Sequence, residues 1–294
     1  MNSWQRWVKA PYTTSFRRIL FQVHLWTGIG LGLYILVISV SGSAVVLRPQ
    51  INRWFIHNQV ESTNTDVVSE TQIELSVSNT YPDSMVKNIR MPTVPGRAIY
   101  VLLEKNGQQY SRYFDHYQNI DLGPTYPWQV QIVEWLTRLH DDLLMGRQGR
   151  KVNAAGGAIL MLMVMSGLVI WWQGKRRWTE GIKVSSKSPR SLWWQLHSFI
   201  GFWLLLLMFS WGLTAVYFGF PEPFNDLIDW LDDDLNDFDR PDGFLLFLID
   251  LHFGRFRGSW LAYLWVILGL LPGFMFISGF VLWYKRIVNP RSDH

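Results

Sequence analysis

Four histidines, His24, His140, His197 and His252, lie within or beside the apolar stretches of this 294-residue chain, and their surroundings repeat. His24 is followed four residues later by Gly28, and His197 by Gly201; His140 is followed six residues later by Gly146, and His252 by Gly258. His140 and His252 each reach a Ser-Gly pair 26 residues on (Ser166-Gly167, Ser278-Gly279) and an aromatic pair 31 residues on (Trp171-Trp172, Trp283-Tyr284). Offsets matched in this way mark an internal duplication, two helix pairs of the same orientation. An ionisable group in an apolar span is costly unless it faces the interior with a partner. Neutral imidazole is an axial ligand for haem iron, and helix bundles build cofactor sites from facing side chains. One histidine from each repeat in each of two layers suits two bis-histidine haems, His24 with His197 and His140 with His252. At about 1.5 Å of rise per helical residue the layers stand about 20 Å apart.

Other chemistry is weighed against this. Any one of these histidines alone reads as a hydrogen-bonded core residue; four at repeat-matched positions favour haem. Zinc fits less well, because no carboxylate or thiolate joins the inner pair and the spacing lacks a metalloprotease pattern. Gly28 and Gly201 lie one turn from their histidines on the same helix face. The missing side chain there lets a flat macrocycle approach the backbone, although small residues in spans also serve close helix packing. His57, His116 and His294 have no repeat partner and read as surface residues. With no cysteine in the chain, thiolate-held iron–sulfur clusters, disulfides and covalent c-type haem are excluded, so any haem here must be non-covalent.

The elements that position these residues are membrane spans. The chain is 49% hydrophobic with seventeen tryptophans, many near the ends of apolar runs, where amphipathic rings favour the headgroup region. Four runs reach the length that crosses a bilayer, from about Ile19 to Leu47, Val152 to Trp172, Leu192 to Phe220 and Trp260 to Tyr284. The expected fold is a mainly α membrane protein, a four-transmembrane-helix bundle of two helix-pair repeats with a small α+β periplasmic insert. It divides into residues 1–47 (amino terminus and first span), 48–126 (insert), 127–172 (interfacial amphipathic helix and second span), 173–191 (cytoplasmic loop), 192–220 (third span), 221–259 (periplasmic acidic loop) and 260–294 (fourth span and tail). Arg6, Lys9, Arg17 and Arg18 precede the first span, Lys175, Arg176, Arg177, Lys183, Lys187 and Arg190 follow the second, and Lys285, Arg286 and Arg291 follow the fourth. By the positive-inside rule both termini and the middle loop are cytoplasmic in a bacterial inner membrane. The net charge of +4 follows the membrane topology and is no nucleic-acid signal. The first apolar run is too long for a cleaved signal peptide and reads as a retained anchor.

Within the insert, a helix is expected at Thr71–Asn79 and strands at Met85–Met91, Arg97–Glu104 and Gln109–His116, the last two joined at Asn106-Gly107. Pro127–Leu144 reads as an amphipathic helix that delivers His140 to the outer surface. Arg138, Arg147, Arg150, Arg255 and Arg257 outside, and Arg18 and Arg190 inside, sit where haem propionates emerge, or serve as interfacial anchors. The acidic loop, Asp226 to Asp242, reads as a solvated outer segment.

These residues resemble the PepSY-associated transmembrane proteins, whose members include bacterial siderophore reductases. The resemblance rests on His24-x3-Gly28, Phe114-Asp115 through Leu122-Gly123, Leu139-His140 with Gly146 and Gly149-Arg150, Leu196-His197-x3-Gly201, and Leu251-His252. It implies a PepSY-like insert, haem b held by the repeat histidines, and electron transfer to ferric-siderophore complexes in the periplasm. The resulting expectation is a dihaem conduit that takes electrons from a cytoplasmic reductant or quinol and releases ferrous iron. Its rivals are a haem-free binding or regulatory module and a loose haem carrier. No nucleotide or flavin fingerprint is present, so a soluble donor is a separate protein.

Overall fold

The structure, a computed structural model, describes residues 15–60, 69–94, 96–173, 182–185, 191–231, 243–255 and 259–288. Most of the acidic loop, the middle-loop basic residues other than Lys183, and Gly258, Arg257 and His294 lie outside the described residues. The chain divides into two compact units, residues 47–135 and the two segments that flank them.

The flanking unit is helical. Its long helices are α1 (Ser15–Val46), α5 (Arg147–Trp171) and α10 (Ser259–Val288), with α6 (Leu192–Trp203) and α7 (Leu205–Gly219) between the last two. Three helices are long and apolar enough to cross a membrane, or four if α6 and α7 form one broken span. The third span, expected as one piece, bends by 62° between α6 and α7. Apolar composition sets how much chain can lie in lipid but not its direction, so the bend left no trace in the pattern. Two short helices, α8 (Glu222–Leu231) and α9 (Gly243–Phe253), follow. His252 lies at the end of α9.

Burial in this unit is reversed relative to a water-soluble core. Ser39, Ser41, Ser43, Ser166, Ser210, Thr214 and Ser278 are buried, while Leu33, Leu162 and Leu206 are exposed. That is the arrangement of helices whose outer faces meet lipid and whose contacts use small and hydroxylated residues. α1 lies chiefly against α10, and α7 against α5. A Cβ at Gly157 would stand 2.7 Å from the Gly212 carbonyl oxygen, and one at Gly212 2.8 Å from the Gly157 oxygen, so α5 and α7 touch backbone to backbone. On the other side Ser39 enters the α10 ladder beside Pro272, which brings no N–H. Gly273 N donates to Ser39 Oγ at 3.0 Å and Ser39 Oγ donates to the Gly269 carbonyl at 2.5 Å, so one hydroxyl bridges what would be an i→i−4 bond.

The unit of residues 47–135 is α+β. It opens with α2 (Arg48–Phe55) and α3 (Glu70–Thr80), the latter started by a Ser69–Gln72 capping box. An antiparallel sheet follows in the order β1 (Met85–Arg90), β2 (Ile99–Lys105), β3 (Gln108–Asp115) and β4 (Ile120–Pro124). Ile99, Val101 and Leu103 alternate onto one face and bury against Ile73 and Val77 of α3 and Phe114 of β3. The β2–β3 turn at Asn106-Gly107 has positive φ at both residues, 54° and 75°, as a tight hairpin requires. β4 was absent from the sequence expectation, because Asp121, Gly123 and Pro124 read as turn residues. It forms through ladder pairing with β3 and the Arg112–Asp121 ion pair at 2.5 Å, and Pro124 sits at its end on the sheet edge. α4 (Trp128–Asp142) then carries the chain out of this unit.

Gly157→Ala forces a shift of backbone at the α5–α7 contact. It should cost about 1–3 kcal/mol of stability, read as a lower unfolding midpoint in detergent. Gly30→Ala, where a Cβ would meet nothing within 4 Å, should hold or raise the midpoint.

Candidate functional site

Each of the four histidines is fixed through the same ring atom, Nδ1, by a group from another helix of its own half of the sequence. On α1, His24 Nδ1 lies 3.1 Å from the Met163 carbonyl oxygen and 3.0 Å from Ser166 Oγ, both on α5. On α6, His197 Nδ1 lies 2.8 Å from Ser278 Oγ of α10. His140, on α4, meets the Ile38 carbonyl of α1 at 3.0 Å. His252, on α9, meets Thr214 Oγ1 of α7 at 2.5 Å. Nε2 of each ring is the nitrogen left for other work.

The anchors also place the histidines in layers. Along α1, His24 and Ile38 are separated by fourteen positions, about 21 Å at about 1.5 Å per residue. Pairs then form between the halves. His140 and His252 face each other with ring centroids 6.3 Å apart and planes at 55°. His24 and His197 line one cavity of about 1460 Å³. Gly28 and Gly201 line the same cavity, each beneath the flexible end of a methionine: an added Cβ would stand 3.3 Å from Met163 Cε at Gly28 and 3.0 Å from Met275 Cε at Gly201. Gly167 and Gly279 do the same for the rings. An added Cβ would stand 3.2 Å from His24 Cε1 and 3.4 Å from His197 Cε1 respectively.

His140 and His252 stand at the ends of short helices, α4 and α9, whose termini are fixed by particular residues. α4 stops through Leu143 and Leu144, both at positive φ (51° and 61°), a backbone state that costs a residue with a Cβ about 1 kcal/mol or more. Asn153 of α5 caps the free carbonyls of that last turn, donating to His140 O at 2.7 Å and Asp141 O at 2.9 Å, and is itself held by Tyr34 OH at 3.0 Å. At the matching position of the second half, Trp265 Nε1 donates to Leu251 O at 3.0 Å beside the end of α9. Gly149 lets α5 begin tight against α4: a Cβ there would fall 1.6 Å from the Asp142 carbonyl oxygen. Burial holds the His140 and His252 imidazoles below their ordinary range, so both are neutral near pH 7, the form in which imidazole binds metal.

The structure thus gathers the predicted histidines into the two predicted pairs. It does not gather the arginines in the same way. Arg18 lines the cavity, joined by Arg17 and Arg286, which the sequence reading left out of the site. Arg150 is engaged with Asp141 at 2.6 Å, and Arg255 lies 4.2 Å from the centre of the Phe253 ring. Arg190 and Arg257 lie outside the described residues. Also missed were the anchors themselves. Ser166 and Ser278 were visible as repeat markers, and their matched offset was the signal that they serve the histidines. Ile38, which acts through its carbonyl, leaves no side-chain signal at all. Among the described residues, no group of three or more histidines and carboxylates is arranged for a metal ion held by protein ligands alone.

The family model for the PepSY-associated TM region matches residues 21–235 and 229–286, and the chain belongs to that family. No curated protein matches the chain.

Gly42 of α1 lies beneath the His140 ring, and a Cβ there would stand 2.5 Å from its Cε1 atom. Gly42→Ala should cost about 1–3 kcal/mol, and nothing further when His140 is already alanine. The expected double-mutant coupling is therefore about 1 kcal/mol or more, read from unfolding midpoints of the four proteins.

Proposed function

We propose that this PepSY-associated transmembrane protein is a dihaem b electron-transfer protein. In this reading His24 and His197 hold one haem, and His140 and His252 the other. The observation that carries it is the pairing itself: four imidazoles, each anchored through Nδ1 within its own half, with His140 and His252 6.3 Å apart and His24 and His197 lining one cavity. A ligating histidine ordinarily gives its second ring nitrogen to a carbonyl, carboxylate or water, and here that nitrogen is already occupied by a carbonyl or hydroxyl in all four. The outer rings stand 6.3 Å apart, close enough that both would serve one bound group. The cavity between the inner pair exceeds the usual size of a small-ligand pocket, about 300–1000 Å³, and suits a large flat macrocycle.

Bound haem supplies reversible one-electron chemistry at each layer. The chain supplies the rest. Its histidines orient the ligating nitrogen, and its apolar helix faces exclude water. The methionine ends over Gly28 and Gly201 move aside at the cost of a rotamer change. Arg17, Arg18 and Arg286 at the cavity rim place positive charge beside carboxylates at the macrocycle edge.

In the membrane the helices form a four-span bundle of two repeats, with both basic termini cytoplasmic and the α+β insert periplasmic in a bacterial inner membrane. Haem held by the inner pair would accept electrons from a cytoplasmic reductant or quinol, and haem held by the outer pair would pass them to a periplasmic ferric-siderophore complex, whose iron would leave as the ferrous ion.

The visible spectrum of detergent-purified protein, oxidised and dithionite-reduced, tests this reading. About two haems per chain with b-type bands are expected. Alanine at His24 or His197 should remove one haem and alanine at His140 or His252 the other. A colourless protein after growth with abundant haem would overturn the proposal in favour of a haem-free binding module.

A further inference from the structure

The hydrogen bonds that hold the histidines also determine which ring nitrogen carries the proton. A hydroxyl has one proton to give and lone pairs to receive with. Ser278 Oγ lies 3.0 Å from the Met275 carbonyl, which can only accept, and 2.8 Å from His197 Nδ1; with its proton on the carbonyl it accepts from the ring. Ser166 Oγ gives its proton to the Met163 carbonyl at 2.9 Å, and the same carbonyl also faces His24 Nδ1. Both neighbours of that ring nitrogen are acceptors. Thr214 Oγ1 gives its proton back along α7, to the Ser210 carbonyl at 2.9 Å or the Trp211 carbonyl at 3.1 Å, and so accepts from His252 Nδ1. At His24 the carbonyl can only accept, so Nδ1 bears the hydrogen; at His197 and His252 it does so while the hydroxyl gives its proton to its own helix, and in a neutral imidazole that leaves the lone pair on Nε2.

From this we infer that Ser166, Ser278 and Thr214 are positioning residues: Ser278 and Thr214 lock His197 and His252 as Nδ1–H tautomers, Ser166 shares that role at His24 with the Met163 carbonyl, and the Nε2 lone pair is left for a metal. Their hydroxyls also accept from the rings and so raise the basicity of the ligating nitrogen, which favours the more highly charged, oxidised iron. The inner pair is matched, a serine one turn beyond a methionine carbonyl on each side. The outer pair is unmatched, because His140 is held by the bare Ile38 carbonyl and His252 by a threonine. Removing Thr214 therefore changes one ligand of the outer site alone.

The inference rests on the haem reading for its effect on the cofactor, but its tautomer half stands on the protein alone. Two measurements separate them. Nitrogen-15 spectra of histidine-labelled, haem-free protein in detergent should show Nδ1–H tautomers at the repeat histidines, with Ser278→Ala shifting His197 toward a mixture and Ser278→Thr restoring it. Redox titration and haem titration of the loaded protein should show Ser166→Ala and Ser278→Ala weakening the inner haem about 10–100-fold. They should also raise its midpoint potential by about tenfold in the one-electron equilibrium, about 59 mV. Thr214→Val should do the same at the outer haem only, and Thr214→Ser should restore it. An unchanged His197 tautomer in Ser278→Ala, or potentials that move no more in Ser278→Ala than in Ser278→Thr, would sink the inference. Wild-type protein that takes up no haem yet shows the locked tautomers would overturn the electron-transfer reading and keep the positioning role. If Ser278→Ala fails to fold, Thr214→Val decides the inference, because His24 keeps the Met163 carbonyl as acceptor in Ser166→Ala.

Discussion

An imidazole taken out of water must find a hydrogen-bond partner for its N–H, and much of this architecture follows from meeting that need four times. Among apolar helices two kinds of acceptor come without adding charge: a backbone carbonyl that shares its hydrogen-bonding capacity, or a serine or threonine hydroxyl whose own proton is satisfied by its helix. Both are used here. His140 takes the Ile38 carbonyl, His197 and His252 take hydroxyls, and His24 takes one of each. Leaving such a donor unpaired in the interior costs about 1–3 kcal/mol. The anchors are thus stabilising in their own right, whatever occupies the space between the rings.

The two halves meet this constraint in parallel but not identically. Ser166 and Ser278 are matched, as are Met163 and Met275 and the glycines beneath the rings. Farther along the helices the match becomes functional rather than chemical. Asn153 and Trp265 occupy equivalent positions, and each donates to a carbonyl at the end of a histidine-bearing helix, one with an amide and one with an indole. A helix end leaves carbonyls that need a donor, and any side chain of suitable reach supplies it. A duplicated chain is therefore free to diverge in how a bond is made while it keeps the bond. The unequal anchoring of His140 and His252 is of the same kind, and gives the two proposed haems different surroundings.

Close helix contact and an open cavity place opposed demands on the same elements. α5 and α7 touch through Gly157 and Gly212, and α1 meets α10 through Ser39, which bonds Gly269 and Gly273. Those contacts fix the spans where lipid gives no hydrophobic drive for association. Between them the histidines of the inner layer line open volume, bordered by glycines and by unbranched methionine side chains that can move at low cost. Rigidity is thus concentrated at the helix contacts, and adaptability at the cavity wall.

Much of this was legible in the sequence, for definite reasons. Long apolar runs, histidines at repeated offsets and a missing cysteine are local or periodic features, and they identified the spans, the two histidine pairs and the α3–β1–β2–β3 elements with only small shifts at their ends. The family followed from the same motifs. Features that depend on contact between distant segments were not legible. The 62° bend between α6 and α7 has no compositional mark. β4 exists through its pairing with β3 and the Arg112–Asp121 bridge across residues that look like a turn. The hydroxyls and carbonyls that hold the imidazoles come from residues 38 to 142 positions away along the chain. Sequence determines which groups are available and how often they recur. Only the folded helices decide which acceptor meets which ring, because a hydrogen bond is a matter of ångströms and angles that spacing along the chain does not specify.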